Sequence, residues 1–115
     1  MDGLIIKTCW IEKMFKNGKN IEVRSKNTKK RGRIAIIESG SGLIVGDTFL
    51  YETFLMDEIS FNYNKMRHKV ENSFYKKNWA WCITSTFKYP EPIKYKHPQE
   101  AVIWVNNVLD YKIKK

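Results

Sequence analysis

The nine residues Trp79-Ala80-Trp81-Cys82-Ile83-Thr84-Ser85-Thr86-Phe87 alternate large apolar side chains with small or polar ones. A period of two places Trp79, Trp81, Ile83 and Phe87 on one face of a strand and Ala80, Cys82, Thr84 and Thr86 on the other. A strand with so heavy an apolar face has to be covered, which commits the chain to a sheet folded over a core. The rest of the pattern agrees. Residues 4–7, 21–24, 33–38, 43–55 and 102–105 also read as strands, with Ser39-Gly40-Ser41-Gly42 as a turn and Gly46-Asp47 as a bulge or bend. Two helices are expected. Thr8 caps the first, over 9–17, where Ile11, Met14 and Phe15 share a face and Gly18 ends it in the left-handed conformation. Asp57 or Ser60 caps the second, which reaches about residue 68 with Ile59, Tyr63, Met66 and Val70 as its buried stripe. Pro90, Pro92 and Pro98 mark an extended connection, and 111–115 reads as a frayed end.

No repeated strand–helix–strand alternation is present, so the expected fold is α+β and mostly β: a small antiparallel barrel of about six strands with two flanking helices. With 115 residues the chain is one domain, 1–115, with 108–115 as a C-terminal tail. Its 6 Phe, 6 Tyr and 4 Trp exclude a disordered chain. No apolar run approaches the roughly 20 residues that cross a bilayer, and the first apolar stretch is too short for a signal peptide. No membrane partner is expected. Cys9 and Cys82 have no metal-ligand spacing and suit a reducing cytoplasm. His68 and His97 stand far apart without a partner pattern, so neither a metal nor another cofactor is expected.

Charge is unevenly spread within a net of +9. Residues 13–33 carry nine basic residues and a single acid, Glu22, whereas 34–64 carry five acids and no base. A basic segment broken by Gly, Asn, Ser and Thr suits a polyanion, whose counterions it releases. A solvated lysine-rich surface has the same composition. Within this segment Gly18-Lys19-Asn20-Ile21-Glu22-Val23-Arg24 stands out, because a helix ends, a strand begins, and Glu22 and Arg24 project from one face beside Lys19. A salt bridge that aligns the strand would use the same residues.

Those residues also carry a resemblance. Leu4-Ile5-Ile6-Lys7, Trp10, Gly18-Lys19-x-x-Glu22-x-Arg24 and Arg31-Gly32-Arg33-Ile34 follow one another in an order that resembles the ASCH domain family of the PUA-like superfamily. Gly46 after Ile44-Val45, Tyr75, Trp79-Ala80-Trp81, the run from Pro92 to Pro98, and Val102-Ile103-Trp104-Val105 extend the likeness over roughly 4–107. The resemblance implies a compact barrel with a cleft between barrel and helix, lined by the Lys, Glu and Arg of the signature. The superfamily includes binders of RNA and of modified bases. Relatives that deacylate N4-acetylcytidine use the signature lysine with a threonine and a glutamate, and other relatives cut RNA. Here Glu22 stands where those amidohydrolases carry threonine, and Asn20 replaces the threonine that usually follows the lysine. Thr8 or Ser39 would have to supply the hydroxyl, and Glu71 is the nearest later glutamate.

Two functions follow, with a ligand-free interaction module as a third. In the first, RNA or a modified nucleoside is bound: Trp10, Tyr75 and Trp79 offer stacking faces, Glu22 accepts from an exocyclic amine, and Lys19 and Arg24 donate to a carbonyl or phosphate. The loop with Lys29 and Arg31 holds the flanking backbone, and the turn at Ser39 can face an anion. In the second, Lys19 acts in hydrolysis with Glu71. That requires a neutral lysine. Burial and nearby Arg24 and Arg31 favour the neutral form, while Glu22 keeps the charge and so favours binding.

Overall fold

The structure is a computed structural model that describes residues 1–73 and 75–109; the expected frayed end at 111–115 lies outside them. Six strands, β1 (Gly3–Ile6), β2 (Ile21–Arg24), β3 (Gly32–Glu38), β4 (Leu43–Met56), β5 (Asn78–Lys94) and β6 (Trp104–Val105), form one sheet in the order β2-β5-β4-β3-β1-β6. Among the described residues three helices accompany it, not two: α1 (Thr8–Lys16), α2 (Glu58–Tyr63) and α3 (Lys65–His68). The sheet is mixed, because β1 pairs with β3 in parallel while the other ladders are antiparallel.

The expected barrel is not closed. No ladder among the described residues joins the outer strands β2 and β6. The sheet is nevertheless strongly curled. Trp81 on β5 stacks on Trp104 of β6 with ring centroids 5.8 Å apart, although a flat sheet would hold strands four places apart at about 19 Å. The opposite margins therefore face each other across a gap. Backbone groups on either side of it are left to side chains or a ligand.

The alternation of β5 divides as expected. Trp81 and Ile83 join Leu4, Ile6, Ile34, Ile36 and Leu50 under α1, which contributes Ile11 and Met14. Ala80 and Cys82 join Ile21, Val23, Met56, Phe61 and Val70. Phe87 leaves its expected face. Between Asp47 and Phe49 the β4–β5 register shifts, Ser85 takes a φ of 53°, and Phe87 becomes exposed. The third cluster, Ala35, Ile37, Ile44, Tyr89 and Val105, is covered by Val108 and Leu109, the start of the expected tail.

Two other expectations are corrected. β5 runs on through Pro90 and Pro92. Val45 alone faces 89–92 between the pairs Ile44↔Ile93 and Gly46↔Lys88, so both prolines sit in a bulge where no ladder needs their N–H. The second helix is broken at Asn64, and its buried face is Phe61, Asn64 and His68. The residues expected inside, Ile59, Tyr63 and Met66, are 80%, 87% and 78% exposed; Val70 alone of that stripe is buried. Satisfied polar groups can be buried. The Asn64 amide donates to the Ser60 carbonyl at 2.8 Å, and the His68 ring sits between the Phe61 carbonyl at 2.7 Å and the Val70 N–H at 2.9 Å. Since Val70 N–H donates to Nδ1, the proton of His68 is on Nε2 and the ring is neutral. Burial, with the Lys19 charge adding to it, pushes its pKa below the usual histidine value.

Candidate ligand-binding cleft

The chain turns from α1 into β2 at Gly18, whose φ of 75° is the expected left-handed end of the helix. The Lys19 N–H then donates back to the Lys13 carbonyl at 3.0 Å, which swings the Lys19 side chain inward. Lys19 is 2% exposed. Its ammonium donates to the carbonyls of Ile21 (2.8 Å) and His68 (2.5 Å), lies 4.8 Å from the centre of the Trp10 ring, and has Glu22 Oε1 at 3.6 Å. A lysine so placed ties β2 to α3.

Glu22 is 4% exposed. Its Oε2 accepts from Arg24 Nε at 2.9 Å and lies 2.9 Å from Arg24 Nη2. That Nη2 also donates to the Ile5 carbonyl at 2.8 Å, so Arg24 spans the gap from β2 to β1. Its guanidinium stands 5.6 Å over the Trp81 ring. These bonds occupy Nε and Nη2 and leave the Nη1 hydrogens without an acceptor among the described residues. One carboxylate thus lies between two cations in the seam of the curled sheet.

Burial is the main influence on Lys19 and lowers its pKa to about 8. Glu22 opposes it by charge and hydrogen bonding, while Lys13 and Arg24 add to it. Lys13 therefore takes the part expected of Arg31. About one lysine in ten is neutral at pH 7.

The cluster forms a wall of a cavity of about 610 Å³. Six of the expected site residues line it: Trp10, Lys19, Glu22, Arg24, Ser39 and Tyr75. The other four lie elsewhere. Trp79 packs against the cluster beneath α1. Arg31 donates to the carbonyls of Thr28 and Lys30 and to the Thr53 hydroxyl, so the basic loop is folded onto the sheet; Lys29 is exposed on it. Lys30 reinforces this fold by pairing with Asp2 at 2.8 Å and standing 5.2 Å over Trp104. Glu71 lines a different cavity of about 450 Å³, together with Lys65, Lys76 and Asn78.

Sequence reasoning missed Ile5, Lys7, Cys9, Val23, Val70 and Val102, which also line the cleft. Lys7 and Cys9 had a usable signal, because they flank the strand-to-helix corner just before Trp10. His68 beneath Lys19 had one too, in the Asn64–His68 spacing. Among the described residues no group of three or more His, Cys, Asp and Glu is placed to hold a metal ion, and no helix is long and apolar enough to cross a membrane.

No family model and no curated protein matches the chain. Solved structures do. The ASCH protein from Zymomonas mobilis superposes with a TM-score of 0.71 at 12% identity, covering 98% of this chain and 90% of that one. Its serine-to-alanine variant gives 0.72 at 12% identity over the same shares. Its tyrosine-to-phenylalanine variant gives 0.68 at 12% identity, over 81% of this chain and 74% of that one. At such low identity the likeness concerns the path of the backbone. Together with the curled sheet of six strands and the cleft at its seam, it shows that this chain has the ASCH domain fold.

Proposed function

We infer that the cleft binds RNA or a modified nucleoside through Lys19, Glu22 and Arg24, in a reducing cytoplasm that suits the unpaired Cys9 and Cys82. One observation carries the reading: a nearly buried carboxylate, flanked by two cations, forms a wall of a cavity large enough for a nucleoside. Glu22 Oε1 is held only loosely by Lys19 at 3.6 Å and can accept from the exocyclic amine of cytosine or adenine. Arg24 Nη1 has donors for a carbonyl or phosphate. Trp10 and Tyr75 line the same cavity and give it aromatic surface on which a base can pack, with the Lys13 and Lys19 ammoniums 5.1 and 4.8 Å from the centre of the Trp10 ring.

A panel of nucleosides and short RNAs screened by thermal shift tests this. Cytidine, adenosine and their N-substituted forms are expected to raise the melting temperature in proportion to the logarithm of concentration above Kd, and uridine is not. A flat response across the whole panel removes the reading.

Hydrolysis of an acylated cytidine, or of RNA, is the second reading, and the lowered pKa of Lys19 is the observation in its favour. Against it, two of the lysine's hydrogens are held by backbone carbonyls, and the third direction faces the Glu22 carboxylate, which favours the charged ammonium over the neutral amine. The Thr8 hydroxyl is bonded to Glu38 at 3.2 Å, and Glu71 lies in the other cavity. Release of acetate from N4-acetylcytidine by the wild type, lost in Lys19→Ala, would place hydrolysis first.

A further inference from the structure

Helices α2 and α3 present a stripe to solvent that no other element among the described residues covers. Ile59, Tyr63 and Met66 are spaced i, i+4 and i+7, which aligns them on one helical face. The helical turn continues across Asn64, since Asn64 N–H donates to Ser60 and His68 N–H to Asn64, both at 3.0 Å. The stripe is therefore one surface about 10 Å long, opposite the buried Phe61, Asn64 and His68. Three large apolar side chains in a row on the outside are unusual for a chain with a well-filled core.

The charges around the stripe identify what fits it. Asp57 and Glu58 stand at its N-terminal end; Lys65, Arg67 and Lys69 stand at its C-terminal end, with Lys65 and Arg67 flanking Met66. None of these five is in an ion pair among the described residues. Asp57 caps α2 through the Ser60 N–H and stays exposed, whereas Arg67 is half-buried and donates to Asn20 and Tyr51. A stripe that is acidic at one end and basic at the other is its own complement when a second copy lies antiparallel across it. The two-fold axis then passes near Tyr63 and brings the acids of each copy over the bases of the other.

We propose that α2–α3 is the interface of a two-fold dimer of this chain, in which Tyr63 packs on Tyr63 across the axis, Ile59 packs on Met66 of the second copy, and Glu58 faces Lys65 of the second copy. The surface is small, so the dimer is weak, with a Kd in the range of about 10–1000 µM. It lies outside the cleft, so it stands or falls independently of nucleoside binding.

Sedimentation velocity on the wild-type chain, from micromolar to near-millimolar concentration, is expected to show a monomer passing to a dimer. Tyr63→Glu, at an exposed position, is expected to keep the wild-type melting temperature and raise Kd at least about tenfold. The decisive arm uses Glu58→Lys and Lys65→Glu. Each alone sets like charges opposite each other in its own dimer and is expected to be monomeric, whereas a one-to-one mixture restores both contacts and is expected to associate. A wild type that stays monomeric throughout, a dimer indifferent to Tyr63→Glu, or a mixture that associates no better than its components each overturns the proposal. So does NMR in which the Tyr63 and Met66 signals respond only to added RNA and not to protein concentration.

Discussion

Glu22→Gln is expected to cost about 2–3 kcal/mol of stability at neutral pH and to move the titration of Lys19 well below its wild-type value of about 8. The variant keeps the shape of the cleft and removes only the charge between Lys19 and Arg24. Removing one partner of a buried pair usually costs about 3–5 kcal/mol, because an uncompensated charge stays behind. Here the loss is smaller. Arg24 retains the Ile5 carbonyl, and Lys19 can release its proton, which at pH 7 costs only about 1.4 kcal/mol for a group titrating one unit higher. The pH dependence follows from the sign of the shift. Lys19 titrates at about 8 in the folded chain against 10.5 as the ordinary value, so between these limits the unfolded chain binds more protons and stability rises with pH. In the variant that rise starts at a lower pH, since the charge that raised the lysine's pKa is gone. The stability gap is therefore widest in mildly acidic solution, shrinks as pH approaches 8, and is constant above it. Urea midpoints at pH 6, 7.5 and 9, with NMR titration of methylated Lys19, measure both. A gap that does not vary with pH would falsify the assignment of Glu22 as the partner that keeps Lys19 charged.

The heart of the cleft was legible because its logic is local. A glycine that ends a helix, a lysine at the corner, and Glu22 and Arg24 two apart on the following strand leave few other arrangements. The alternation of 79–83 was legible for the same reason. What was not legible depends on distant partners. Closure of a barrel is decided by whether the outer strands find each other, and here the gap beside β2 is bridged by a side chain, with Arg24 donating to the Ile5 carbonyl on β1. The parallel pairing of β1 with β3 is likewise invisible in the order of strands and helices. The stripe on α2–α3 shows a different limit. Periodicity identified a face, but Asn64 and His68 found backbone partners inside and turned the apolar face outward. The basic loop illustrates a third. Its charge suggested a surface for phosphate backbone, yet Arg31 and Lys30 hold the loop against the sheet.

The second large effect is expected far from the cleft. Gly46→Ala should cost about 3 kcal/mol, more than its single methyl group suggests. A Cβ at this position would stand 2.3 Å from the Phe87 carbonyl oxygen and 2.9 Å from Cζ of Phe15. The first obstacle is backbone of the facing strand, at the register shift where β5 bulges. It cannot withdraw freely. Next to it, Asp47 accepts from the Tyr89 hydroxyl at 2.6 Å and pairs with Arg33 at 3.3 Å, and Arg33 also holds the Ser85 carbonyl. Gly3→Ala is the control. Its Cβ would meet side chains and no backbone, Cδ1 of Ile37 at 2.4 Å, Cγ1 of Val108 at 2.9 Å and Cγ1 of Ile37 at 3.0 Å, so a smaller cost of about 1–2 kcal/mol is expected. The second obstacle at Gly46 links this position to function. Phe15 belongs to α1, and α1 also carries Trp10, whose ring lies 4.8 Å from the Lys19 ammonium. Pushing Phe15 outward tilts that helix and loosens the wall of the cleft. Gly46→Ala should therefore weaken the nucleoside-induced thermal shift as well as lower the urea midpoint, whereas Gly3→Ala leaves the shift intact. Equal midpoints for the two variants would mean that the bulge yields as easily as a side chain, and the rigidity assigned here to the Asp47–Tyr89–Arg33 network would be lost.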